Sequence, residues 1–321
     1  GDDSLNTGLG SDSPFKTLTN ALWRIAQSVG SPHTIHLSEG VYSPSTTGES
    51  FPIILKSYVN ISGSGEEVTI IDAEETHRVI EIKDCENNII SNLTLTGGFV
   101  DGISSGQNGG GIYMEGSSPT LIYISVSDNM AIMSGGGIYM EGSSPILTNL
   151  TISGNVADDD GGGVYIEGSS PTIINSIIWN NEPPSIIIDD DESAIISYSD
   201  IEGGWEGEGN IDTDPLFCNP ENGDNTLAEN SPCVGTGENG ANMGALGIGC
   251  EAFVLEPAIA EIPDTTINED EDLLITLSAE SLFGYSMIFS AASDTDDVVT
   301  SIDSELLTLS PADDWNGDAL I

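Results

Sequence analysis

Between residues 80 and 200 apolar and polar residues alternate in short runs, and none keeps the 3.6-residue spacing of an amphipathic helix. The runs are separated by Gly, Ser, Asn and Asp, the residue types of turns. Three stretches are near copies. Gly109–Pro119 reads GGGIYMEGSSP, Gly135–Pro145 repeats it letter for letter, and Gly161–Pro171 reads GGGVYIEGSSP, a period of 26 residues. Each copy is followed by a second β-rich run: TLIYISVSDN, ILTNLTISGN and TIINSIIWNN. Three consecutive glycines and a proline in every unit exclude a helical repeat. Short strands joined by turns at this period predict an all-β fold in which each unit is one coil of a parallel β-helix.

Coils of that kind stack about 4.8 Å apart, which places equivalent residues above one another. Ile112, Ile138 and Val164 then form one inward column, and Met114, Met140 and Ile166 the next, because alternate residues share a face. Ile124, Leu150 and Ser176, with Val126, Ile152 and Ile178, line another wall. Asn129, Asn155 and Asn181 fall at one turn of three coils. Stacked amides hydrogen-bond along a column, and a turn Asn also tolerates left-handed backbone. These three are therefore expected as a structural ladder.

Charge adds a second layer. The chain carries 53 Asp and Glu against 5 Lys and Arg, a net charge of −48. The basic residues (Lys16, Arg24, Lys56, Arg78, Lys83) and the histidines (His33, His36, His77) all precede residue 84. Chemistry beyond that point must use carboxylates, hydroxyls, amides, backbone or a bound cation. A surface this acidic repels nucleic acid and anionic membranes, and no apolar run is long enough for membrane insertion. Hydrophobic residues make up 38%, enough for a core rather than a disordered chain.

Part of the acidity is in register. Tyr113, Tyr139 and Tyr165 are expected to face outward with Glu115, Glu141 and Glu167 beside them. The next coil is shorter, so that Ile186 and Ile188 follow Val164 and Ile166 and Asp189 follows Glu167. Stacked carboxylates repel by roughly 0.8 kcal/mol per neighbouring pair even in water. Solvation, splayed rotamers or cations must offset that. Calcium suits oxygen clusters, and the candidate Ca²⁺ ligands are Asp158, Asp159 and Asp160, and Asp189, Asp190, Asp191 and Glu192. A solvated acidic face without specific Ca²⁺ is the other reading. The Tyr–Glu strip is also a candidate carbohydrate-binding surface, against self-stacking of the rings.

At the start of the chain Ser13-Pro14 has N-cap and N1 character. Phe15, Leu18, Ala21, Leu22 and Ile25 follow with helical spacing, which predicts a helix plugging one end of the solenoid within residues 1–30. His33 and His36 lie on opposite faces of a strand and read as structural or exposed. Of four cysteines, Cys85 reads as a buried thiol and Cys233–Cys250 is the expected disulfide pair; no spacing fits zinc. Asn60, Asn92 and Asn149 head glycosylation sequons, which also arise by chance in a chain rich in Asn, Ser and Thr. The first residue is Gly1 rather than Met, which reads as a processed or partial chain.

GSDSPFKTLTNAL, TIHLSEGVY and the segment DPLFCNPENGDNTLAENSPCVGTGENGANMGALG together resemble the opening and closing segments of bacterial pectate-lyase-like β-helix surface proteins. The resemblance implies a right-handed parallel β-helix over 1–254, closed by residues 205–250, in a secreted or cell-surface protein. After a Pro-containing linker, INEDEDLLITL and ELLTLSPADDWNGDALI resemble cadherin-like or Ig-like tandem modules. That implies a β-sandwich over 255–321, short of its last strand or strands.

Lyases resembling this fold use Arg or Lys as base, and the coils beyond Lys83 contain neither. A glycoside hydrolase needs only two carboxylates about 5–9 Å apart, but identical residues on a regular strip signal a scaffold. The expectation is a structural or adhesive protein rather than an enzyme, able to assemble with other copies of itself by strand exchange and bearing a Ca²⁺-stabilised acidic face. A carbohydrate-active or carbohydrate-binding β-helix, meeting a glycan or cell-surface ligand, is the alternative.

Overall fold

The computed structural model describes the chain apart from residues 102–105, 184, 190–192, 254–257, 260–261, 267–270, 281–287 and 314–316. Two compact units divide it, Gly1–Phe253 and Val254–Ile321.

The first unit is an all-β parallel solenoid. Its long sheet runs through His33–His36, Val59–Ser62, Ile89–Thr96, Thr120–Ser127, Ile146–Ser153, Thr172–Ile174 and Ile195–Ser197. A second sheet stacks Ile53–Ile54, Ile80–Lys83, Ile112–Glu115, Ile138–Glu141, Val164–Glu167 and Ile186–Ile188. A third, narrow sheet joins Phe99–Val100, Met130–Ala131 and Val156–Ala157. All pairings are parallel, and the 26-residue period sets the register: Ile138 faces Ile112 and Val164, and Met140 faces Met114 and Ile166. These side chains are fully buried, as are Ile124, Leu150, Val126, Ile152 and Ile178.

The corners explain the composition of the turns. Asn92, Tyr123, Asn149, Asn175 and Tyr198 stand at equivalent positions with φ between 49° and 58°. A left-handed residue is costly for most side chains and tolerable for Asn. The ladder asparagines Asn129, Asn155 and Asn181 are not among the left-handed residues, so that part of their expected role passes to the other column. The triple glycines answer to close approach. A Cβ on Gly136 would lie 2.3 Å from the Val156 carbonyl oxygen of the next coil.

Both ends of the solenoid are plugged. Helix α1 spans Leu18–Arg24 and buries Leu18, Ala21 and Leu22. It begins later than the sequence predicts, with Thr17 rather than Ser13 as N-cap. Ser13 instead accepts the Thr7 N–H, and the Pro14 carbonyl accepts the Asn6 side chain. Two carboxylates take the free N–H groups that a helix start leaves. Asp3 accepts from Lys16 and Thr17, and the buried Glu49 accepts from Leu18 at 2.6 Å and Thr19 at 3.0 Å. At the other end Trp205 packs on the core, and Asn210 accepts the Ser199 N–H while donating to the Ile196 carbonyl.

A closing segment then folds back on the long sheet. Its strands Phe217–Asn219, Asp224–Ala228 and Ile248–Cys250 form a small sheet, with Ile177, Phe217, Leu227, Cys233 and Met243 as a second core. The disulfide is Cys218–Cys250, correcting the expected Cys233–Cys250 pair. Cys233 lies fully buried in that second core, and its thiol donates to Asp200 at 3.1 Å. Cys85 is a buried free thiol.

In the second unit the described residues form a three-stranded antiparallel sheet, Leu273–Thr276, Leu306–Pro311 and Val298–Asp303 in spatial order, and a pair formed by Ala258–Ile259 and Ala279–Glu280. Leu277, Val298 and Leu307 are its buried apolar residues among those described.

Candidate functional site

The outer face of the second sheet carries the Tyr and Glu columns. Parallel pairing puts Tyr113, Tyr139 and Tyr165 in one line and Glu115, Glu141 and Glu167 in the next. The rings stack face to face, with centroids 5.4 Å apart for Tyr113–Tyr139 and 5.5 Å for Tyr139–Tyr165, and planes within 11° and 7°. Tyr139 is only 4% exposed. Sugar rings bind to open aromatic faces, and here both faces of Tyr139 and the inner faces of Tyr113 and Tyr165 are covered by a neighbouring ring. On the outer side of Tyr113 the Arg78 guanidinium lies 4.6 Å and the Lys83 ammonium 4.9 Å from its centroid.

Each phenol reaches one coil forward. Tyr113 donates to Glu141 at 3.0 Å, Tyr139 to Glu167, and Tyr165 to Asp189 at 2.8 Å. These donors oppose the repulsion expected of a carboxylate column. Burial, then the hydrogen bond to the carboxylate, pushes the Tyr113 and Tyr139 phenols well above their ordinary range. Tyr165, where the Asp189 bond is the larger cause, is pushed up to about 12. At the N-terminal end cations take over. Lys83 sits in the glutamate column, 3.5 Å from Glu115 and 3.6 Å from Glu81, and Arg78 pairs with Glu81 at 2.8 Å.

The interior ladder closes on itself in the same way. Asn129 donates its side-chain amide to Asn155 at 3.0 Å, and Asn155 donates to Asn181 at 2.9 Å. A serine ladder, hidden in the GSSP motif, runs beside it. The Ser117 N–H donates to the Ser143 hydroxyl at 3.1 Å, and the Ser143 N–H to Ser169 at 2.8 Å. Two serines in each motif offer no means of telling which turns inward.

The expected Ca²⁺ cluster does not form at Asp158, Asp159 and Asp160. Asp158 and Asp159 donate backbone N–H groups to Ala131 and Met133, Asp160 bridges Ser134, and all three residues are exposed. Asp189 accepts from Tyr165; Asp190, Asp191 and Glu192 lie outside the described residues. Among the described residues no three His, Cys, Asp or Glu side chains converge as a metal site. Of the sequons, Asn149 is buried and donates to the Asn242 and Gly244 carbonyls, which leaves no room for a glycan. Asn60 accepts the Ile89 N–H, and Asn92 is a left-handed corner.

Residues 39–231, the coils that carry all these columns, match the family described as "Periplasmic copper-binding protein (NosD)". The chain belongs to the NosD family. That description agrees with the expected placement outside the cytoplasm, and among the described residues no helix is long and apolar enough to cross a membrane. No curated protein matches the chain. Two solved structures overlap this NosD-family chain loosely. A pectin methylesterase in complex with hexasaccharide VII shares 14% identity at a TM-score of 0.35, over 63% of this chain and 79% of that one. A mutant pectin methylesterase with hexasaccharide IV shares 11% at 0.31, over 64% and 91%. Overlaps this loose carry no argument about substrate or activity.

Proposed function

We propose that the chain is an exported, non-catalytic β-solenoid that serves as a rigid structural element. One observation carries this reading. The repeated polar residues bond to the next coil, Asn and Ser to their own copies and Tyr to a carboxylate, so that these columns are occupied with holding the stack. A catalytic pair needs two carboxylates placed in unlike environments, and the Glu141 and Glu167 environments are near repeats.

Copper, named in the family description, finds no gathered site among the described residues: His33 and His36 are exposed, but no three His, Cys, Asp or Glu side chains converge. Its ligands are imidazole, thiolate and thioether. Met114 and Met140 are sealed in the core, and Cys218 and Cys250 are oxidised. Cys85 and Cys233 are buried, with thiols that burial raises. His77 already accepts the Arg78 N–H. Self-assembly, calcium on the acidic face and an Ig-like reading of 255–321 extend the proposal. Their supports are the net charge, the open sheet edges and the strand pattern.

The test is direct. Purified chain should release no reducing sugar, unsaturated product or methanol from neutral, uronate or methyl-esterified polysaccharides, and should give no saturable copper isotherm. Turnover abolished by Glu141→Gln would overturn the reading. Negative-stain images with and without EDTA test assembly: dispersed particles indifferent to calcium would remove the self-assembly and calcium extensions.

A further inference from the structure

A cleft of about 400 Å³ opens where the closing segment meets the outer surface of the long sheet. Glu66, Glu67, Thr94, Ser125 and Ser127 line it from the solenoid; Asp224 and Thr226 line it from the closing segment. Three hydroxyl residues occupy one column here, Thr94, Ser125 and Thr151. Thr94 donates to the Glu66 carbonyl at 2.7 Å, and Thr151 accepts the Ala245 N–H at 2.9 Å. Ser125, between them, is 2% exposed, and its hydroxyl opens on the cleft without a hydrogen-bond partner among the described residues. A side chain this buried is ordinarily paired; this hydroxyl is not sealed and can be reached only through the cleft, where it can serve an entering ligand.

The chemistry of the lining selects the class of ligand. No Lys, Arg or His lines the cleft, so an anion is repelled. Among the described residues no aromatic ring lines it either, so a sugar finds no stacking surface there. Three carboxylates face in, yet they do not converge as a metal site. Burial, and then the charge of Glu67, pushes the Glu66 carboxyl above its ordinary range, a cost that a nearby cation removes. Asp224 is held in place by the N–H and hydroxyl of Thr226. Ile70 and Leu246 supply apolar surface between the acidic groups.

We propose that this cleft binds an aliphatic polyamine. Its ammonium groups meet Glu66 and Glu67 on one wall and Asp224 on the other, the Ser125 hydroxyl accepts from one of them, and the methylene chain lies over Ile70 and Leu246. The site is independent of the Tyr–carboxylate face.

Calorimetric titration of the full chain with spermidine at physiological ionic strength tests it, since screening suppresses diffuse attraction to a −48 surface. Saturable one-to-one binding is expected. Glu66→Gln and Asp224→Asn should each weaken it by about tenfold, the scale of one charge-assisted hydrogen bond. Asp12→Asn makes the same charge change on an exposed turn and should leave binding unaltered. Circular dichroism checks folding, and Ser125→Ala, which removes only the open hydroxyl, serves if a carboxylate variant misfolds; it should weaken binding measurably. Equal weakening by Asp12→Asn would show diffuse counter-ion condensation and overturn the proposal. So would an absence of saturable heat, or a neutral oligosaccharide binding where spermidine does not.

Discussion

Asn155→Ala strikes the interior ladder at its centre. The Asn155 carbonyl oxygen accepts both the backbone N–H of Asn129, at 3.1 Å, and its side-chain amide, at 3.0 Å. The Asn155 amide donates to Asn181 at 2.9 Å, to the Val126 carbonyl at 2.9 Å and to the Ser153 carbonyl at 3.2 Å. The residue is fully buried, so water does not replace these partners. Alanine leaves the Asn129 N–H without an acceptor and the Val126 carbonyl short of a donor, while the Ser153 carbonyl keeps the Asp128 N–H. One stranded buried group costs about 1–3 kcal/mol. Two of them, with the small cavity, give a loss of about 3–6 kcal/mol, beyond what most single substitutions reach. Urea unfolding followed by circular dichroism measures the total. Because coils open locally, hydrogen exchange at the Asn129 amide locates it, and protection there should collapse first. A loss below about 1 kcal/mol, with Asn129 still protected, would refute the reasoning: the amide column would then be a by-product of stacking rather than a support.

Three further outcomes are expected. Tyr139→Phe deprives Glu167 of its donor and should cost about 1–2 kcal/mol at low salt, shrinking in high salt as the exposed carboxylates are screened; a salt-independent loss would point to ring packing instead. Cys218→Ser opens a loop of 32 residues, worth about 3–4 kcal/mol in the chain-entropy account, and should admit protease into the closing segment, whereas Cys233→Ala should leave the non-reducing gel mobility unchanged. Asp200 is buried, and that burial, with the charges of Asp212 and Asp214 as lesser causes, pushes its carboxyl up to about 7 from 3.8. The folded chain therefore holds this proton more tightly than the unfolded one. The resulting stability is full below pH 3.8 and is lost as pH rises through about 7, by up to about 4 kcal/mol. Asp200→Asn should flatten that part of the stability–pH curve, measured by thermal melts from pH 4 to 8.

The solenoid was legible because its signal is repetition. The glycine-led units announce their register, and the columns through Ile138, Met140 and Asn155 follow by adding 26 to a residue number. What escaped is non-repeating. Glu49 caps α1 from a distance of 31 residues, and nothing local to Ser13-Pro14 or Thr17 shows which carboxylate will arrive. The choice among Cys218, Cys233 and Cys250 depends on a small antiparallel sheet in the closing segment, whose strands are irregular. Specific calcium sites stand beside a solvated acidic face in the sequence because Asp158, Asp159 and Asp160 are adjacent along it. In space the backbones of Asp158 and Asp159 are tied to the preceding coil, and the three exposed carboxylates do not converge as a metal site. The tyrosines, for which self-stacking stands against a sugar-binding surface in the sequence, stack on one another and also donate to the acids of the next coil, a bond no repeat count shows.

The tyrosine, asparagine and serine ladders share a direction. In each, the donor belongs to the earlier coil and the acceptor to the later one. These three columns are therefore vectorial, although other bonds between the coils run the opposite way, as from the Val156 N–H to the Asn129 carbonyl. Along the three columns, two solenoids brought together head to head would meet acceptor with acceptor or donor with donor, and neither junction could continue the ladders. The ladders continue only through whole turns inserted in the same sense, so a duplicated coil of 26 residues is the natural quantum by which such a chain grows.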